Sequence, residues 1–232
     1  MLISTLILFH KYKICSGNFS LTNSSYEELF ILLGACIFIG QGITNILYKL
    51  EYLSTAIKNL LDRKEPSNQL DIKKISIKII DQQYSILVTL GFNINIDFPS
   101  SFQYKIKQYL LKKEYKSDNI LELLTYTIND SYIFPICLYF IPDVIVICSI
   151  KYLKEKYKLD SINIYELIAL SDYDLDKYEI EQCYTFIQKI QKEILFRKRQ
   201  KEEEMKGAEN NKLKTNEASI TKVISSINMN VD

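Results

Sequence analysis

The sequence predicts an all-helical protein, and three observations carry that prediction. Apolar residues recur at helical spacing almost everywhere, as in Phe102, Ile106, Tyr109 and Leu110. Alternation at period two, the mark of a half-buried strand, is nearly confined to Asn93–Asp97. Caps and breakers fall between the periodic stretches rather than inside them.

Taken in order, the periodicity places a first group of helices at about residues 1–15, 25–42, 46–61 and 70–91. Ser24-Ser25-Tyr26-Glu27 has the Ser-x-x-Glu spacing of a capping box, in which hydroxyl and carboxylate satisfy free amides of a first turn. Small Gly34, Ala35 and Gly40 on an otherwise bulky helix predict that neighbouring helices approach it closely. Asp62–Gln69, with Pro66 inside it, reads as a polar loop, and Asn93–Ser100 as an extended connector, because the residue before Pro99 is pushed out of the helical region. A second group follows at about 99–114, 118–134, 142–157, 161–170 and 174–206. Pro142 suits a helix start, where its missing amide is not needed, and Asp143 faces the positive end of the dipole. Arg197–Lys206 carries both charge signs and extends the last helix, with pairs such as Lys198 and Glu202; Gly207–Asp232 has the composition of a mobile tail.

Composition narrows the function classes. Hydrophobic residues are 47% and charged residues 25%, which excludes wholesale disorder and fibrous repeats. A net charge of +1 gives no whole-chain attraction to nucleic acid or to an acidic surface. The five cysteines, Cys15, Cys36, Cys137, Cys148 and Cys183, are odd in number and widely spaced, unlike a disulfide framework or a zinc site, so buried, reduced thiols are expected. Leu29–Tyr48 is uncharged, but only Leu29–Ile39 is apolar throughout, too short to span a bilayer; Ser131–Ile150 is broken by Pro135 and Pro142 and holds Asp143. Both read as core helices. Met1–Phe9 lacks the basic region and cleavage site of a signal peptide.

No catalytic constellation is present in the sequence. His10 is the single histidine and lies in the apolar-basic stretch Phe9–Lys13, where surface or packing is its expected role. Gly40-Gln41-Gly42 lacks the preceding strand of a phosphate loop. Asp172, Asp174 and Asp176 mimic part of a calcium loop without its central Gly, and Cys183 stands where the closing Glu belongs, so a helix cap is expected there. Lys112, Lys113 and Lys116, and Arg197–Lys201, are offset by nearby acids. No enzyme activity, metal or cofactor is expected.

Several segments, in order and spacing, resemble the cyclin family, specifically the transcription-type cyclins of the K, L and T groups. Leu8-Phe9-His10-Lys11-Tyr12 is similar to the end of the second helix of a first cyclin box, and Ala35-Cys36-Ile37-Phe38-Ile39-Gly40 to its central third helix. Leu87-Val88-Thr89-Leu90-Gly91-Phe92-Asn93-Ile94-Asn95 resembles the end of its fifth helix and the link that follows. Thr127-Ile128-Asn129-Asp130-Ser131, then Pro142-Asp143-Val144-Ile145 and Lys151-Tyr152-Leu153, resemble the second and third helices of a second box. The resemblance implies two tandem boxes: residues 1–92, incomplete because the first helix has no counterpart through truncation or divergence, and residues 93–195, with a charged helix and tail at 196–232. It also implies a regulatory subunit that binds and activates a cyclin-dependent protein kinase in transcription or RNA processing, chiefly nuclear and secondarily cytoplasmic, without membrane or nucleic acid as partner. The kinase-binding residues it implies are Gln41, Thr44, Asn45, Tyr48, Glu51 and Tyr52. The family's Lys and Glu contacts are absent, since Gly42, Thr44 and Asn45 stand at the matching positions. Two other readings remain: a kinase-independent cyclin-fold scaffold or general transcription factor of the B type, and a small membrane protein spanning with Leu29–Tyr48.

Overall fold

A computed structural model describes the backbone of residues 1–17, 25–46, 48–66, 70–113 and 118–228, and side chains within these as far as Glu204, Asp118 excepted. Among the described residues every regular element is helical. Met1–Gln188 forms one compact unit and Lys189–Asp232 a second.

The first half of the compact unit holds α1 (Leu2–Cys15), α2 (Tyr26–Thr44), α3 (Leu50–Lys64) and α4 (Ile72–Thr89). Helices α1, α3 and α4 all pack on α2. The small residues of α2 make this possible: a methyl added at Gly34 would stand 2.5 Å from Ile57 Cδ1 and 3.4 Å from Ile79, and one at Gly40 would stand 2.9 Å from Ser4 Oγ. Around these contacts Leu8, Ala35, Cys36, Leu61, Ile75, Ile79 and Ile86 are fully buried, each apolar side chain contributing about 1.5–3 kcal/mol where it is large. Among the described residues α2 is the one helix long and apolar enough to cross a membrane.

The capping box falls one residue later than the spacing first suggests. Ser25 Oγ accepts from the Glu28 amide at 3.2 Å, and Glu28 Oε2 from the Ser25 amide at 3.3 Å. Ser24 lies outside the described residues, and Glu27 is held by Lys78 of α4, so it is not free to turn back on the cap. Helix α3 also starts later than residue 46, at Leu50. Asn45 ends α2 by turning the chain in the left-handed region at φ 54°, and Gln41 Oε1 accepts from the Tyr48 amide at 3.2 Å ahead of the first turn of α3. Helix α4 ends in a Schellman motif, with Phe92 N–H donating to Leu87 O at 2.8 Å and Gly91 N–H to Val88 O at 3.0 Å, Gly91 standing at φ 57°.

The second half holds α5 (Ser100–Lys112), α6 (Asp118–Tyr132), a 3₁₀ turn (Pro135–Leu138), α7 (Pro142–Tyr157), α8 (Ile164–Ile168) and the start of α9 (Lys177–Asn228). Helices α5, α6, α8 and the 3₁₀ turn pack on α7, which is buried without interruption from Asp143 to Ile150. Proline at the first turn starts α7 as its sequence predicts. The expected helix at 161–170 shrinks to one short turn, capped by Asn163 Oδ1 accepting from the Tyr165 amide at 3.0 Å.

The two halves join along α1, which touches α6 and the 3₁₀ turn. His10 Nε2–H donates to Tyr132 O at 3.1 Å, and Lys11 Nζ donates to Asn95 O at 2.9 Å. In the second unit the backbone of α9 remains helical to Asn228, where composition favours a mobile tail from Gly207. A lone glycine costs a helix only about 1 kcal/mol, and no proline follows it. Arg197 Nε donates to Glu193 at 2.7 Å, one turn earlier.

Candidate functional site

The six residues implied as a kinase contact all lie in or around the turn from α2 to α3, but they divide into two sets. Gln41 is buried, 2% exposed, and its carbonyl oxygen is taken by the Tyr48 amide. Thr44 is half-buried and its hydroxyl donates to Gly40 O at 2.9 Å, a bond back along its own helix. These two shape the turn. Asn45, Tyr48, Glu51 and Tyr52 are exposed, the tyrosines at 53% and 66%, and they form the outward surface of the corner. Asn45 is among the few side chains that accept the left-handed region readily, which explains its presence at the bend. Gly42 is exposed, with open space where a side chain would stand. Beside the corner, Leu2, Ile43, Thr44, Ile46 and Phe98 contribute to an open cavity of about 530 Å³.

A second surface belongs to the same half and was missed in the sequence. On α4, Ile77, Ile80, Tyr84 and Val88 are exposed at 58%, 48%, 67% and 50%. Their spacing of three, four and four residues puts them in one stripe, about 16 Å long. Helix α4 is apolar on two faces, because Ile75, Ile79 and Ile86 point into the core. The signal was legible as an excess of apolar residues over what one buried face needs.

The remaining candidates are structural in geometry. His10 is buried, and loss of water pushes its pKa below 6.5 against the weaker opposing pull of the Tyr132 and Ile133 carbonyls. Asp172 pairs with Lys105 at 2.7 Å, and Asp176 Oδ1 accepts from the Tyr178 amide at 3.1 Å, capping α9. Among the described residues no three His, Cys, Asp or Glu side chains are placed to hold a metal ion. Cys36, Cys148 and Cys183 are buried, Cys137 is half-buried and Cys15 is exposed; burial pushes the Cys36 thiol up to about 12. Lys113 pairs with Glu166 at 3.1 Å, and Lys116 lies outside the described residues.

The chain matches no protein-family model and no curated protein. The chain is all-helical among the described residues and carries two exposed surfaces, one aromatic and polar, one aliphatic and aromatic.

Proposed function

We propose that the chain is a cyclin-type regulatory subunit: residues 1–92 and 93–195 are two cyclin boxes, and the first binds and activates a cyclin-dependent protein kinase in the nucleus, in transcription or RNA processing. The single observation that supports this most is the exposed stripe Ile77, Ile80, Tyr84 and Val88 on α4. Soluble proteins seldom leave several large apolar side chains contiguous in water, and a stripe at helical spacing suits a partner helix laid against it. The corner of Asn45, Tyr48, Glu51 and Tyr52 then supplies aromatic and polar contacts of the kind enriched in interfaces. Activation follows from differential affinity. If this surface binds one position of the kinase's regulatory helix better than others, it raises the population in which the kinase's own Lys and Glu pair is assembled around ATP. On this reading α2 is the core rod of a soluble protein, not a membrane span.

Affinity purification of the full chain followed by assay of recovered kinase activity is the test. Tyr84→Asp should lower kinase recovery by at least tenfold with the unfolding temperature nearly unchanged, since truncating an interface aromatic removes about 2 kcal/mol or more. Absence of any kinase from the wild-type eluate would sink the proposal. One observation favours the kinase-independent scaffold instead: Gly42, Thr44 and Asn45 provide none of the Lys and Glu charge with which cyclins face their kinases. Recovery of transcription proteins with no kinase would favour that reading.

A further inference from the structure

A cavity of about 250 Å³ lies between the second half of α7, the short helix α8 and the first turns of α9. Three lysines line it, Lys151 and Lys154 from α7 and Lys177 from α9, against a single carboxylate, Glu181. Lys151 and Lys154 stand one turn apart, as do Lys177 and Glu181, so each pair shares a face of its helix. Two positive charges are left uncompensated in this concave space, in a chain whose net charge is only +1. A cleft lined by one sign of charge focuses its field and concentrates counter-ions.

Hydrogen bonding separates the committed groups from the free ones. Lys151 is held: its side chain is 18% exposed, and its Nζ donates to Glu181 Oε1 at 2.6 Å and lies 4.3 Å from the centre of the Tyr184 ring. Lys154 Nζ donates to Ile162 O at 2.6 Å, beside the cavity residue Asn163, and keeps two N–H groups. Lys177 is exposed and has no partner among the described residues, so it keeps all three. Asn163 has nothing left to offer, because its Oδ1 accepts from the Tyr165 amide at 3.0 Å and its Nδ2 donates to Glu166 at 3.2 Å. Ile164, Ile168 and buried Ile180 supply the apolar wall.

We propose that this cavity binds a small-molecule phosphomonoester, its phosphoryl oxygens accepting from Lys154 and Lys177 and its ester group lying against Ile164, Ile168 and Ile180. Near neutral pH a phosphomonoester carries close to two negative charges and three strong acceptor oxygens, which matches the two uncompensated charges and the free N–H groups. A carboxylate brings one charge and leaves the other unanswered. Lys151 adds its charge to the field while its N–H stays with Glu181. The site uses no residue of the α2–α3 corner or of the α4 stripe, so it stands whether or not a kinase binds.

The test is titration of the full chain with phenyl phosphate, inorganic phosphate and benzoate, followed by NMR shifts of the Ile164 and Ile180 methyl groups. Wild type is compared with Lys154→Met, Lys177→Ala, Glu181→Gln and, as an exposed lysine outside the cavity, Lys156→Ala. The expected result is saturable binding of phenyl phosphate, tighter than that of either other anion. Lys154→Met should weaken it about tenfold and Lys177→Ala about threefold, as loss of a charge-assisted hydrogen bond at a half-buried and at an exposed lysine implies. Glu181→Gln, which keeps an acceptor for Lys151 but removes the opposing charge, should tighten binding, and Lys156→Ala should leave it unchanged. The exposed position of Lys177 keeps the test decisive even if Lys154→Met disturbs α7. Three outcomes overturn the proposal: no saturable shift with phenyl phosphate, equal affinity in wild type, Lys177→Ala and Glu181→Gln, or binding of benzoate or inorganic phosphate as tight as that of phenyl phosphate.

Discussion

Helices α2 and α7 are both apolar rods wrapped by neighbours, yet they meet the surface differently. In α7 the buried polar groups are answered inside the protein: Asp143 accepts from Ser171 Oγ at 2.7 Å, Ser149 Oγ donates to Ile145 O at 2.7 Å, and Cys148 Sγ donates to Ile180 O at 3.2 Å. In α2 the rod is closed by glycine contacts along its middle and then opens at Gln41–Asn45 into a solvent-facing corner. The helix that crosses it, α4, keeps a bare apolar stripe. One rod is therefore buried throughout its first half, from Asp143 to Ile150, while the other ends at an exposed corner.

Substitutions can break or sharpen that contrast. The largest effect belongs to α7: Ile147→Ala, at a fully buried site, should cost about 4 kcal/mol in chemical denaturation. A loss under about 1 kcal/mol would show that α7 is not the closed rod described. Next comes Gly34→Ala in α2. The added methyl meets Ile57 Cδ1 at 2.5 Å, the movable end of a side chain, so repacking should limit the loss to about 1–3 kcal/mol. Stabilisation by that substitution would contradict the close helix approach.

The junction between the halves should respond to pH. Burial lowers the folded-state pKa of His10 below its unfolded value of 6.5, so the unfolded chain binds the proton more readily. The contribution of neutral His10 is fully present above pH 6.5 and declines as pH falls through 6.5 toward the folded pKa. Wild-type stability should fall over that window relative to His10→Gln, which cannot titrate there; parallel curves would remove His10 from the account. The smallest stability effect is expected at the stripe, where Ile80→Ala should change unfolding free energy by no more than about 0.5 kcal/mol. A cost of several kcal/mol would mean that α4's outer face is packed after all.

Much of the helical plan was readable from periodicity and breakers, and the elements at 2–15, 26–44, 72–89, 100–112 and 142–157 lie within a few residues of the expected spans. What escaped was the choice between locally equivalent options. Ser24 with Glu27 and Ser25 with Glu28 have the same spacing, and the ion pair between Glu27 and distant Lys78 separates them. Gln41 reads as a surface residue at a polar helix end, but the path of the chain after Asn45 brings the Tyr48 amide to it and buries it. Of the implied contact residues, Asn45, Tyr48, Glu51 and Tyr52 are outward-facing and Gln41 and Thr44 are not.

Alone, then, the sequence determined where helices form and which are greasy enough to lie at the centre, because period, caps and proline act over a few neighbouring residues. Tertiary structure decided which of α4's two apolar faces is buried and how His10 reaches Tyr132 O across 122 residues of chain. Those outcomes depend on which distant helix arrives at a given face, and no local spacing encodes that arrival.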